Sequence, residues 1–197
     1  MIIVLILVGL VVLVGLIYIL MRNSIIASRN RVDEAWSGID VQLKRRHDLV
    51  PNLVESVKGY ATHEQKTFEN VTKARSQAMQ AESVGETAQA ESMLSQALGQ
   101  LRVVAEQYPD LRATENFQQL QQQLSQLEDE IQASRRIYNS NVQSYNTKIQ
   151  QFPMSAVANQ GGFTAREFFE IGDPAEREAP DVSFASTPPA QTPPAAS

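Results

Sequence analysis

The feature that most constrains this chain is an uncharged, almost wholly aliphatic run near its N-terminus, residues 2–21, which reads IIVLILVGLVVLVGLIYILM. A helix of this length extends about 30 Å, which matches the hydrocarbon thickness of a bilayer. A cleaved signal peptide needs a positive segment ahead of a shorter apolar stretch, whereas only Met1 precedes this run. The run therefore predicts a transmembrane helix that is retained as a signal-anchor.

The basic residues around the run indicate how that helix is oriented. Arg22, Arg29 and Arg31 follow it, and no basic residue stands before it. Because Lys and Arg resist translocation, we expect the N-terminus outside and the body of the protein in the cytoplasm.

Composition excludes several classes of function. The chain carries 22 acidic and 17 basic residues, for a net charge of −5, whereas a general nucleic-acid binder needs a concentrated basic surface. It contains no Cys, so disulfides, thiolate metal sites and a Cys nucleophile are excluded. Only two His are present, which leaves few candidate bases or metal ligands.

Residues 22–153 read as helix, because their apolar positions recur in steps of three and four. A first long helix extends past Pro51 to Gly59, and a capping-box spacing of Thr62 and Gln65 opens a second helix at His63. A third helix covers about 87–107, and a fourth covers 117–152 with a seam typical of bundles and coiled coils. Short connections make sequential helices antiparallel, so we predict an all-α fold: a transmembrane helix (2–21) followed by an antiparallel up-down-up-down four-helix bundle (22–153) with long first and fourth helices.

Two segments follow the bundle. Residues 154–185 form a C-terminal extension with a short aromatic element, in which Phe163, Phe168 and Phe169 either fold back onto the bundle or dock to a partner or the membrane interface. Residues 186–197, STPPAQTPPAAS, have no aromatic or large aliphatic residue, so a disordered Pro- and Ala-rich tail is expected.

A polar cluster interrupts the apolar stripe of the first helix at Arg46 and His47. It reads as a solvated basic face, as a buried polar layer or as a site for an anionic ligand. If Val32 lies level with Phe152, His47 lies near Ile137. The cluster then faces a similar gap near Arg135, with Tyr138 and Asn139 beside it, and buried groups of this kind must be paired.

No catalytic chemistry is evident. The chain shows no Gly-rich phosphate loop, no nucleophile elbow and no zinc-binding His pair. The Glu-x-x-His motif of di-iron bundles is also absent, since Lys44 and Tyr60 stand three residues before the two His. We therefore expect no enzyme activity, no cofactor, and no catalytic or metal-binding residues.

Several blocks resemble the LemA family of bacterial single-pass membrane proteins. The first is residues 30–60, NRVDEAWSGIDVQLKRRHDLVPNLVESVKGY. The others are Tyr108-Pro109, Phe117, Arg136-Ile137-Tyr138-Asn139, Tyr145-Asn146, Phe152-Pro153, Gly162-Phe163 and Arg166-Glu167-Phe168-Phe169-Glu170. The resemblance implies an N-terminal anchor and a helical body facing the cytoplasm, at the bacterial inner membrane. The family provides no catalytic residues to carry over.

These observations favour a membrane-anchored helical scaffold or adaptor that mediates protein–protein assembly. Its partners would be the membrane, crossed once, an unnamed protein and further copies of the chain, but not nucleic acid. The alternative is a regulatory sensor that binds a small ligand between its helices. A cavity lined by His47 and Arg135 would favour the sensor, and a close-packed bundle the scaffold.

Overall fold

A computed structural model of the chain describes residues 1–170, and within them every regular element is a helix. The described residues form α1 (Ile2–Lys58), α2 (Gln65–Gln80), α3 (Val84–Glu106), α4 (Pro109–Ala113), α5 (Glu115–Gln150) and α6 (Met154–Gln160). The all-helical prediction is confirmed. The tail at 186–197 and the second half of the extension, 171–185, lie outside the described residues.

The apolar run and the first body helix form one continuous helix, α1, of 57 residues. Its buried positions begin at Ile25 and continue to Val57, whereas residues 2–16 are exposed along their whole length. In the part of the chain that the structure describes, α1 is the one helix long and apolar enough to cross a membrane, and its most apolar 18-residue window has no buried residue. The N-terminal part of α1 is therefore a candidate membrane helix.

The most extensive packing joins α1 to α5, and the next joins α2 to α3. The first pair is antiparallel, because Lys148 near the end of α5 contacts Ser24, while Glu130 near its middle contacts Arg45. α2 and α3 pack on the C-terminal part of α1, and α6 packs on both α1 and α5. α1 thus contacts four other elements.

Two hydrophobic cores result. The distal core combines the C-terminal part of α1 with α2, α3, α4 and the start of α5, and includes Leu53, Phe68, Leu94, Leu101 and Phe117. The proximal core, nearer the apolar run, joins α1 and α5 to α6 and the chain beyond it, and includes Ile25, Ile39, Ile131, Tyr145 and Phe169.

The helix boundaries differ from the prediction at three places. α2 begins at Gln65 after Glu64, with no side-chain cap, so the Thr62 capping box does not form. The capping box instead opens α3: Ser83 Oγ accepts from the Glu86 amide, and the Glu86 carboxylate accepts from the Ser83 amide, both at 3.2 Å. Those backbone hydrogen bonds, from Ser83 and Glu82, lower the pKa of Glu86. Two short helices were not predicted: α4 lies between the expected third and fourth helices, and α6 lies at the start of the C-terminal extension.

The register of α1 against α5 also differs from the expected one. Placing Val32 level with Phe152 would bring Ile137 beside His47. In the structure Glu128 contacts Arg46 at 2.7 Å, whereas the expected register places Tyr138 beside Arg46, about ten residues further along α5. The apolar stripes of both helices repeat every three to four residues, and such a stripe permits more than one register.

Candidate functional site

A buried charge cluster lies where α1, α3 and α5 meet, and we define it by Arg46, His47, Glu91, Ser95 and Glu128. The Arg46 side chain is buried, and its Nη1 donates to Glu128 Oε1 at 2.7 Å. Its Nη2 donates to the Glu91 backbone carbonyl at 3.2 Å and to Ser95 Oγ at 3.0 Å. One guanidinium therefore ties α1 to both α3 and α5.

Glu91 provides the opposing charge. Its side chain has no exposed surface; Oε2 lies 3.1 Å from Arg46 Nη2, and Oε1 lies 2.6 Å from His47 Nε2. Neither Glu91 Oε2 nor Arg46 Nε makes an aligned hydrogen bond, so the contact at Oε2 is a charge contact rather than a directed bond. A buried ion pair with incomplete hydrogen bonding adds little net stability, but removing either partner is costly.

The cluster sits at the junction of the two cores. On α1 it lies between Leu43 of the proximal core and Val50 of the distal core. On α3 Glu91 lies between Ala88 of the proximal core and Leu94 of the distal core. The charges thus mark one level along the helices, a position from which polar groups specify register.

A cleft of about 450 Å³ opens beside the cluster. Trp36, Asp40, Leu43, Lys44, His47 and Asp48 of α1 line it, with residues from the end of α2, from the α2–α3 connection, which includes Ala81, and from α3. Its wall mixes an aromatic ring with side chains of both charges, so it could hold a small polar molecule. The lining residues lie on α1, α2, the α2–α3 connection and α3, and Arg135 of α5 is not among them.

A second site holds the chain after α6 against α5. We call residues 164–169 the clasped segment. Asn139 pairs with the backbone of Phe169: its Nδ2 donates to the carbonyl at 3.0 Å, and its Oδ1 accepts from the amide at 2.9 Å. Asn146 makes the same two bonds with Arg166, at 2.9 and 2.8 Å.

The tyrosine before each asparagine adds a further bond. The Tyr138 hydroxyl donates to the Glu167 carbonyl at 2.9 Å, and the Tyr145 hydroxyl donates to the Thr164 carbonyl at 3.1 Å. Seven residues of helix advance about 10.5 Å, and three residues of extended chain advance about 10 Å. The seven-residue spacing of the two Tyr-Asn pairs on α5 therefore matches the three-residue spacing of the backbone groups that they bind in the clasped segment.

Aromatic side chains pack together where the clasped segment meets α1 and α5. Phe169 is buried, and its ring centroid lies 5.4 Å from that of Trp36. The ring centroid of Tyr138 also lies 5.4 Å from that of Trp36. Burial is the largest influence on both tyrosines, and it raises the pKa of Tyr138 and of Tyr145. Phe163 packs against the proximal core, whereas Phe168 remains exposed. Of the two roles left open for the aromatic element, folding back onto the body describes Phe163 and Phe169.

The structure divides the predicted polar layer between the two sites. Arg46 and His47 belong to the buried charge cluster, and Tyr138 and Asn139 bind the clasped segment. Arg135 is partly buried on α5, between Glu128 and Tyr138 along the chain. The single layer fails to form because the α1–α5 register is shifted.

Sequence reasoning missed Glu91, Ser95 and Glu128. Glu91 could have been found, because it precedes Leu94, Leu98 and Leu101 in steps of three and four. A carboxylate in phase with a buried stripe requires a cationic partner, and Arg46 interrupts the stripe of α1 in the same way. Within residues 1–170, no three metal-ligating side chains come together.

The fold and these sites define a class: an all-helical protein with a candidate N-terminal membrane helix continuous with its body, locked by a buried charge cluster and a clasped C-terminal segment. The model of the LemA family matches residues 35–184. The chain belongs to the LemA family, as its sequence blocks predicted.

Comparison with individual proteins agrees. The chain is similar to Protein LemA of Metamycoplasma hominis, with 32% identity over 146 residues, covering 73% of this chain and 66% of that protein. It is also similar to Magnetosome protein MamQ 2 of Paramagnetospirillum magneticum, with 26% identity over 179 residues, covering 77% and 66%. Magnetosome protein MamQ of Magnetospirillum gryphiswaldense is 25% identical over 178 residues, covering 77% and 65%. The chain thus spans about two thirds of the length of the relatives it matches.

Proposed function

We propose that this protein is a membrane-anchored helical scaffold or adaptor that mediates protein–protein assembly at the bacterial inner membrane. The observation that carries the proposal is the continuity of α1, whose N-terminal residues are exposed and apolar and whose later residues build both cores. An anchor joined to the body without a loop holds that body at a defined place on the membrane. The N-terminus lies outside and the body in the cytoplasm, on the charge argument from Arg22, Arg29 and Arg31.

The polar groups of the body support a structural role. The buried charges pair with one another, and the clasp tyrosines and asparagines bind backbone groups of the same chain. The relatives are named LemA and MamQ, and neither name is that of an enzyme. We therefore propose no catalytic role.

Assembly requires a free surface, and α5 offers one. Gln118, Gln119, Gln122, Gln123 and Gln126 are exposed. Their amides give an uncharged helix face that can pack on a helix of a partner or of a second copy. The MamQ relatives are named as magnetosome proteins, which fits a role in assembly at a membrane. We propose a four-helix, up-down-up-down arrangement of α1, α2, α3 and α5 as the body that presents this face.

The first experiment determines on which side of the membrane the body of the protein lies. Because the chain has no Cys, Ser197→Cys introduces a unique thiol for a membrane-impermeant maleimide. Labelling only after the inner membrane is opened supports a cytoplasmic body, and labelling of intact cells contradicts it. A photo-crosslinker at Gln123 should then give a discrete cross-linked species in cells. A matched probe at exposed Lys73 on α2 should not, and loss of 2–21 should abolish the species. Absence of any species at Gln123 would contradict the scaffold role.

The cleft beside His47 favours a second candidate, a regulatory sensor that binds a small ligand between its helices. Its test is a thermal-shift screen of small polar metabolites. A ligand that raises the melting temperature of the native protein, but not that of Ala81→Phe, which narrows the cleft, would support the sensor.

A further inference from the structure

We propose that the turn between α5 and α6, residues 151–153 with Phe152 at its tip, inserts into the headgroup region of the bilayer as a second membrane contact. This inference rests on the proposed anchoring of α1. It goes beyond that proposal because it assigns membrane binding to a part of the body far from the N-terminus in sequence.

The level of the turn along α1 is the first argument. Lys148 Nζ, near the end of α5, lies 3.3 Å from the Ser24 carbonyl and 3.0 Å from Ser28 Oγ. α5 runs antiparallel to α1, so Phe152, four residues further, lies about 6 Å closer to the N-terminus of α1. That is the level of Met21 and Arg22, where the apolar run ends.

The proximal core extends to the same level of α1. Met154, at the start of α6, packs against the proximal core, and so do Tyr18 and Met21 of α1. Tyr18 and Met21 belong to the apolar run itself. The core of the body therefore extends to the level at which the apolar run of α1 ends.

The exposure of Phe152 is the second, independent argument. Its side chain is 87% exposed, whereas the next most exposed large apolar residue among residues 22–170 is Ile137, at 60%. Gln151 and Pro153 on either side are exposed as well. An aromatic ring extended from a tight turn is costly in water, but it is favoured at the bilayer interface.

The surrounding charges fit the same partner. Arg22 follows the apolar run directly, and Arg29 is exposed two turns later, so cations stand at the height of the lipid phosphates. A single span lets the body tilt and rotate on the membrane. A second contact on the α5 side restrains that motion and fixes which faces of the body point away from the lipid.

The experiment uses the full-length chain in liposomes, with single thiols that carry an environment-sensitive fluorophore. Phe152→Cys is the test variant. Ile137→Cys is the matched control, because it is exposed on α5 about 22 Å further from the apolar run. Leu10→Cys reports on the span itself. Lipids with a spin label near the headgroup or deep in the acyl chain quench the probes, and the melting temperature of each variant checks its fold.

We expect the headgroup label to quench the Phe152→Cys probe at least threefold more than the Ile137→Cys probe, and the deep label to quench the Leu10→Cys probe. Equal quenching at Phe152→Cys and Ile137→Cys, with Leu10→Cys quenched, would overturn the second contact and leave the anchor intact. Failure to quench Leu10→Cys would instead contradict the proposed anchor. A Phe152→Cys probe shielded from both lipid labels and aqueous iodide would overturn the inference in favour of contact with a second copy.

Discussion

Arg75 of α2 donates a hydrogen bond of 2.7 Å from its Nε to the backbone carbonyl of His47 in α1. That carbonyl would ordinarily accept from the amide four residues later, but Pro51 stands there and has no N–H. The helix continues through Pro51 to Lys58, because a side chain from a neighbouring helix satisfies the freed carbonyl. The apparent helix breaker is thus part of the contact between α1 and α2.

This relationship makes the cost of one substitution depend on another. Arg75→Met leaves a part-buried carbonyl without a partner, so it should lower the free energy of unfolding by about 1–3 kcal/mol. In a Pro51→Ala background the helical amide is restored, and the same change should cost less than about 0.5 kcal/mol. Chemical unfolding of the four proteins in detergent measures both values. Lys73→Met, exposed on the same helix, is the control, and an equal cost in both backgrounds would contradict the link.

Substitutions in the buried charge cluster should have non-additive effects on the free energy of unfolding. Arg46→Met leaves Glu91 charged and buried, so a loss of about 3–5 kcal/mol is expected. Adding Glu91→Gln removes that charge while keeping an oxygen for His47, and should recover at least half of the loss. Arg102→Met is the control, because Arg102 lies 3.6 Å from Glu106 in an exposed ion pair. That substitution should lower the free energy of unfolding by less than about 1 kcal/mol. A double variant as unstable as the sum of its single variants would contradict the pairing.

The helices could be predicted from sequence because apolar spacing is a local property. The periodicity of residues 117–152 anticipated α5 within two residues at each end. The register could not be predicted in this way, since it depends on Glu91 and Glu128 reaching Arg46 from distant parts of the chain. The capping of α3 was missed although Ser83 and Glu86 have the required spacing, because the third helix was expected to begin only at about residue 87.

The sequence indicated only one side of the contact between α5 and the clasped segment. Tyr138-Asn139 and Tyr145-Asn146 are seven residues apart and lie within the helical seam predicted for residues 117–152. That repeat does not identify the segment that it binds, because residues 164–169 are bound to it through backbone groups. The side-chain signal was Phe169, which packs in the proximal core and for which folding back onto the bundle was one of the two expected roles.

The raised pKa of Tyr138 predicts how the fold responds to alkali. Burial holds its pKa above the usual value of 10.0, so near that pH the folded chain keeps a proton that the unfolded chain has lost. The free energy of unfolding therefore falls as pH rises past about 10. Tyr138→Phe should show a shallower fall than the native protein when unfolding is followed between about pH 9 and pH 11.

Lys148 acts in the opposite sense, and the comparison removes its effect. Burial lowers the pKa of Lys148, so the unfolded chain binds more protons at this residue than the folded chain does. The contribution of Lys148 to the free energy of unfolding therefore increases as pH rises. The residue is unchanged in Tyr138→Phe, so its contribution cancels in the difference between the two proteins. Identical slopes would show that the Tyr138 hydroxyl stays accessible to water.

The two asparagines of the clasp should protect different amides. Asn139→Ala removes the acceptor of the Phe169 amide, and Asn146→Ala removes that of the Arg166 amide. Each loss, worth about 1–1.5 kcal/mol, should speed hydrogen exchange at its own amide by about tenfold, and the double variant should expose both. Asn141→Ala is the matched control, because Asn141 lies on the same helix and bonds to the Arg31 carbonyl of α1. Exchange at Phe169 and Arg166 that rises equally in all three single variants would mean that α5 loosens as a whole, and that the asparagines do not hold the segment individually.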